Sequence, residues 1–227
     1  MNPIICFIGL DGSGKSTCIS HVYNELKKKN IRVEMVRAAY VLKVMSILVK
    51  ACKRILLKKT NDPYAGNYKL YLDNMRKQAK KKLVYNIFSL LTTFEFKVQI
   101  FFNICVKNWL GKTLLVDRYI YDNVVTVAAN LGEDEKYLKK AMLTKWKNAP
   151  RPDLIIYIQT PVEVCCSRKS DIPDPLYLEI REPLYNAVAS LYDVKIISGN
   201  QPLATMLSEV MAAIGPLFEG TEVWENG

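Results

Sequence analysis

Histidine is almost missing from this chain: His21 is the only one in 227 residues. The six cysteines, Cys6, Cys18, Cys52, Cys105, Cys165 and Cys166, show no metal-ligand spacing and have no histidine to join them. That argues against a Cys/His metal centre. Most of the cysteines lie in apolar runs, so buried, reduced thiols are expected, with a Cys165–Cys166 redox switch as the alternative. Very long apolar runs are also lacking. The longest uncharged stretch of the most apolar helix, Leu83–Phe94, falls short of the ~20 residues a bilayer span requires. Glu95, Lys97 and Lys107 interrupt the rest of that helix. The apolar N-terminus has no cleavage region and reads as a first strand rather than a secretory leader. No internal repeat or domain linker stands out. The composition, half apolar and 24% charged, is that of an ordinary soluble domain. One domain over 1–227, in the cytoplasm, is the expectation.

Excess positive charge is lacking everywhere except in one segment. Between Tyr40 and Lys82 there are 12 Lys/Arg against Asp62 and Asp73, and the remainder balances at 20 of each sign, giving a net +10. Over Val41–Lys59 the apolar residues Val41, Val44, Met45, Leu48, Cys52, Ile55 and Leu56 share a helical face. Lys43, Lys50, Lys53, Arg54 and Lys58 gather on the other. Two readings fit: a solvated insertion packed on Leu83–Leu110, or a helix lying weakly on an anionic membrane surface. No recognised nucleic-acid module accompanies the charge, so nucleic acid is not expected as a partner.

What the chain does have is GLDGSGKST, Gly9 to Thr17. It fits G-x-x-x-x-G-K-[ST] in full, with Gly9, Gly14, Lys15 and Ser16 in the fixed places. The glycines, with Gly12 and Ser13 between them, allow successive N–H groups to face a phosphate chain. Lys15 would set an ammonium over the β- and γ-phosphates, and the Ser16 hydroxyl can ligate Mg²⁺. A buried strand, Pro3–Ile8, precedes the loop and a helix, Ser16–Asn30, comes after it; together they make an anion site suited to ATP. Asp11, Gly12, Ser13 and Thr17 complete the candidate nucleotide-binding set.

Further aliphatic runs at Ile31–Val36, Lys112–Val116, Leu154–Gln159 and Val194–Ile197 read as strands. Helices are expected at Tyr68–Lys82, Leu83–Leu110, Tyr121–Leu131, Glu133–Asn148, from Thr160 to Lys169, Leu176–Tyr192 and Leu203–Phe218, before a polar tail at 219–227. Strands alternating with helices imply an α/β fold with a parallel sheet covered on both faces.

Several stretches together resemble the thymidylate kinases, in the nucleoside monophosphate kinase branch of the P-loop proteins. The loop with Asp11 is similar to that family's G-x-[DE]-G-x-G-K-[ST]-T. Gly111–Tyr119, GKTLLVDRY, resembles its G-x-x-V-x-x-D-R-Y strand. Pro152–Arg168, PDLIIYIQTPVEVCCSR, resembles its P-D-L strand and P-x-E helix running into a lid. The resemblance implies a P-loop NTPase-type five-stranded sheet in order 2-3-1-4-5. It also implies a helical acceptor-side region at about 40–110 and a short lid at about 168–178. It implies that Asp117 holds Mg²⁺ or its water, that Arg118 binds the acceptor's phosphate, that Tyr119 lines the nucleoside pocket, and that Asp11 faces the acceptor. Arg168 and Lys169 stand where the lid begins, and a lid cation is expected to supply transition-state charge. Simpler roles exist too: a helix N-cap for Asp117, an ion pair for Arg118, a dipole-compensating helix end for Arg168 and Lys169.

The chain also departs from that pattern. Arg37 is kept as a substrate-binding candidate, but Ala38-Ala39-Tyr40 replaces the family's E-P-G. The helix Thr92–Lys97 has no acceptor-binding Arg. Transfer of the ATP γ-phosphate to dTMP is therefore the default reading. A different acceptor, membrane-associated or a sugar, is the alternative, and a nucleotide-binding regulator with little turnover is the third. A small-molecule nucleotide and a second copy of the chain are the expected partners.

Overall fold

A computed structural model describes residues 2–37 and 67–219. Five short aliphatic strands form one sheet: β1 Ile4–Ile8, β2 Val33–Arg37, β3 Thr113–Asp117, β4 Leu154–Gln159 and β5 Lys195–Ser198. Every pairing is parallel and the order is β2-β3-β1-β4-β5. The expected α/β class and strand order are both found. Each expected strand lies within two residues of the observed one. β1 is buried along its whole length, as a central parallel strand covered on both faces must be.

Successive side chains alternate between the two faces. On one face Cys6, Ile8, Leu114, Val116 and Tyr157 form a core with α3 (Lys82–Ile100), α5 (Ile120–Leu131) and α9 (Glu182–Leu191). On the other, Ile5, Phe7, Leu115, Ile156 and Ile158 pack under α1 (Lys15–Lys28) and α10 (Leu203–Ile214). Truncating a fully buried side chain such as Phe7 to Ala would cost about 3–5 kcal/mol.

The remaining helices are α2 (Tyr68–Ala79), α4 (Val106–Trp109), α6 (Glu135–Thr144), α7 (Val162–Arg168) and α8 (Pro175–Glu179). The expected continuous helix at Leu83–Leu110 proves to be α3 and α4 joined by a π-helical turn, Phe101–Cys105. A π turn admits one extra residue per turn. Phe96, Ile100 and Ile104 pack into the sheet core, while Leu90, Phe94, Phe102 and Trp109 stay exposed. By length and composition alone, Tyr85–Trp109 could cross a membrane. The uncharged run Leu83–Phe94 covers only part of that length.

The expected helix at Leu176–Tyr192 is two, α8 and α9, broken at Ile180-Arg181. Pro183 has no N–H to give and its ring would clash with the carbonyl four residues back, so it can only sit in a first turn. The helix expected from Glu133 starts at Glu135 instead. Asp134 is its N-cap, accepting from the N–H groups of Lys136 and Tyr137. The expected helix at Val41–Lys59, most of the basic segment and the end of the polar tail lie outside the described residues.

Candidate active site

Because the strands are parallel, the residues that come after each of them emerge on one rim of the sheet. After β1 comes the glycine loop, with φ at Gly9, Gly12 and Gly14 of 138°, 87° and 101°. Gly12 also lies against α7: a Cβ there would stand 2.6 Å from the Cys165 carbonyl oxygen. Lys15 opens α1, but its buried side chain folds back under the loop. Its Nζ donates to the carbonyls of Gly9 (2.7 Å) and Leu10 (2.6 Å). Burial lowers the Lys15 pKa, with Asp122 and Asp117 pulling the other way. Ser16 and Thr17 are exposed on the first turn of α1.

Asp117 ends β3 and Arg118 follows it. Arg118 has φ of 59°, a left-handed conformation that costs a non-glycine residue of order 1 kcal/mol or more. The guanidinium reaches the glycine loop and pairs with the Asp11 carboxylate. Asp11 also accepts from the Tyr177 hydroxyl at 3.1 Å and has the Lys169 ammonium at 4.0 Å. Asp11 thus meets Arg118 and Tyr177, which both line one cavity. Asp117 Oδ1 is buried with no hydrogen-bond partner among the described residues, and Oδ2 lies 3.8 Å from the Nε of Arg37, its register partner at the end of β2.

Of the two cations at the C-terminal end of α7, Lys169 approaches Asp11. Arg168 turns toward the β5 end, where its Nη1 donates to the Gly199 carbonyl at 3.0 Å. Tyr119 is buried and its hydroxyl donates to the Pro150 carbonyl at 2.8 Å. Its ring lines the cavity but its polar tip is already engaged. Cys165 is buried, and burial pushes its thiol up to about 11. That ill suits the redox switch weighed for Cys165–Cys166.

The cavity, about 470 Å³, opens beside this loop and is lined from α2, α3, α5 and α6. Arg118, Tyr119, Asp122 and Tyr177 contribute to its wall. Asp122 is buried on the first turn of α5. One oxygen accepts from the Tyr185 hydroxyl (2.6 Å) and the other from the Tyr119 N–H (3.1 Å). Burial raises the Asp122 pKa, against the opposing pull of Arg118 and Lys15.

Sequence reading missed Asp122, Tyr177, Tyr185, Thr160, Gly199 and Arg181. Thr160 donates from Oγ1 to the Ser13 carbonyl at 3.1 Å and so holds the loop from the end of β4. A Cβ at Gly199 would stand 1.9 Å from that same Thr160 Oγ1 and 2.8 Å from the Ser13 carbonyl oxygen. Buried Arg181 donates to the Tyr68 hydroxyl and the Tyr177 carbonyl, with its guanidinium 3.7 Å from the Tyr177 ring centre. Only Asp122 had a local signal: an acid three residues after Tyr119 is the acidic half of a capping box.

Among the described residues no group of three or more His, Cys, Asp or Glu could hold a metal ion. A hard cation here would depend on oxygens from a substrate. The unpartnered Asp117 Oδ1 fits such an ion, and exposed Ser16 could supply a second ligand. No protein-family model matches this chain, and no curated protein matches it.

Proposed function

We propose that the protein is a P-loop kinase that transfers the γ-phosphate of ATP to a nucleoside monophosphate, with dTMP as the first candidate acceptor. The observation that carries this reading is the cavity beside the glycine loop, with Arg118 in its wall tied to Asp11 of the loop itself. A donor-phosphate motif and an acceptor-sized hollow thus share one cationic side chain. The bond from the γ-phosphorus to its bridging oxygen breaks, ADP leaves, and an oxygen of the acceptor's phosphate takes its place. That oxygen is already anionic, so the site needs positioning and charge neutralisation rather than a strong base. Lys15 and the loop N–H groups hold the donor, Arg118 the acceptor's phosphate, and Lys169 or Arg168 the charge between them. Mg²⁺, when bound at Ser16 and Asp117, neutralises phosphate charge. This reading goes with a cytoplasmic enzyme, a small-molecule nucleotide partner and pairing with a second copy.

One observation favours a different acceptor for the same machinery. The exposed apolar residues of α3, the π turn and α4 would suit a kinase working at a membrane surface. An ADP-coupled screen of nucleotide, sugar and lipid-linked acceptors, run on the wild type and on Lys15→Ala, tests both. The expected result is turnover with dTMP that Lys15→Ala abolishes. Near-normal turnover in that variant would remove the role given to the loop. Turnover only with a non-nucleotide acceptor would favour the second reading.

A further inference from the structure

The cavity wall carries two cations, from different elements: Arg118 after β3 and Lys145 at the end of α6. Arg118 is already paired with Asp11. Lys145 has no carboxylate partner among the described residues. The one hydrogen bond of its ammonium there runs to the Ser89 hydroxyl oxygen on α3, at 2.7 Å. An ammonium has three donors, so two remain. The cavity's own acid, Asp122, makes no ion pair with Lys145; its two oxygens accept from Tyr119 and Tyr185. A half-buried cation without a counter-charge is costly unless something accepts its hydrogen bonds. Burial accordingly holds the Lys145 pKa below the usual lysine value. Lys145 is thus held on the wall of the cavity with two donors uncommitted among the described residues.

We infer that Lys145 determines acceptor specificity by donating to a carbonyl oxygen of the acceptor's base, selecting keto over amino nucleobases. The inference rests on the nucleotide-kinase reading and assigns a residue to its choice of substrate. Thymine and uracil present an oxygen acceptor at C4 where cytosine presents an amino donor. A donor-only ammonium facing an amino group leaves both unpaired, which is how polar pockets reject close analogues.

The matched pair dUMP and dCMP isolates this one atom. Calorimetric titration of the full chain should show dUMP and dTMP binding about tenfold or more tighter than dCMP. Lys145→Met, similar in length but without donors, should bring that ratio to within about twofold. It should also raise KM for dTMP while KM for ATP stays as it was. Lys145→Gln, which can both donate and accept, should recover dCMP binding and serves if the Met variant fails to fold. A dUMP preference that survives in the substituted protein, or a wild type that favours dCMP, overturns the inference. Turnover of dTMP with unchanged selectivity in Lys145→Met sinks the role of Lys145 alone. Lys145-dependent binding of dUMP without any turnover would sink the kinase reading and leave this one standing. No binding of any of the three would overturn both.

Discussion

The Arg118 guanidinium is tied to the Asp11 carboxylate, joining the end of β3 to the glycine loop across 107 residues of sequence. Arg118 stands on the cavity wall, so an acceptor's phosphate would meet it with Asp11 already paired to it. Arg118→Ala should lower kcat/KM for the acceptor roughly a hundredfold or more, with KM for ATP little changed. Steady-state kinetics with each substrate varied separately decide this. An equal loss on the ATP side would mean that Arg118 serves the donor.

Gly199 has room for no side chain. Its Cβ would meet Thr160 Oγ1 at 1.9 Å and the Ser13 carbonyl at 2.8 Å, and the second of these is backbone of the glycine loop. Gly199→Ala should therefore displace the loop as well as cost about 1–3 kcal/mol of stability. Denaturant unfolding and titration with an ATP analogue should both register the change. Unaltered nucleotide affinity would separate the β5 end from the donor site.

Asp122 links folding to pH. Burial raises its pKa in the native state, so the native protein holds that proton more tightly than the unfolded chain does. The contribution is complete below the ordinary aspartate value of about 3.9 and is lost as pH rises through the native value. Asp122→Asn should remove this part of the pH dependence. It should also weaken the start of α5, because an amide cannot accept from both Tyr185 and Tyr119. Urea unfolding of both proteins over a pH series would show the slope vanish; parallel curves would mean Asp122 titrates alike in both states.

Cys6, Cys18 and Cys165 should be inert in the folded protein. All three are buried; burial pushes Cys18 and Cys165 up to about 11 and Cys6 well above its ordinary value. At pH 8 a thiol of that pKa is roughly one part in a thousand thiolate, the reactive form. Mass mapping after a brief pulse of alkylating reagent should find these three modified only once the protein is denatured. Rapid native labelling of Cys165 would reopen the redox role of its pair with Cys166.

The sheet was legible because a parallel sheet buried on both faces is written as uninterrupted aliphatic runs, such as IICFI and LIIYIQ. The glycine loop was legible because its residue types are fixed by backbone geometry at close spacing. The contacts that complete the site span long stretches of chain, and no local pattern announces them. Lys145 meets Ser89 across 56 residues, Asp122 meets Tyr185 across 63, and Arg181 meets Tyr68 across 113. The break before α9 was hidden for a different reason. Leu178, Leu184, Tyr185 and Val188 keep an apolar rhythm across it, and periodicity outweighed the single proline.

A sheet whose strands all point one way has a consequence for how such a protein can change. The loops after β1, β4 and β5 clasp one another through Ser13, Thr160 and Gly199, so their lengths are constrained by mutual fit. The described part of the stretch between β2 and β3, which carries α2 and α3 to the cavity, is held instead by long side chains, among them Arg181 on Tyr68 and Lys145 on Ser89. Substitutions at those side chains can reshape the cavity while the strands beneath stay in register. One half of the rim is held by close contact with backbone, the other by side chains that reach across the fold.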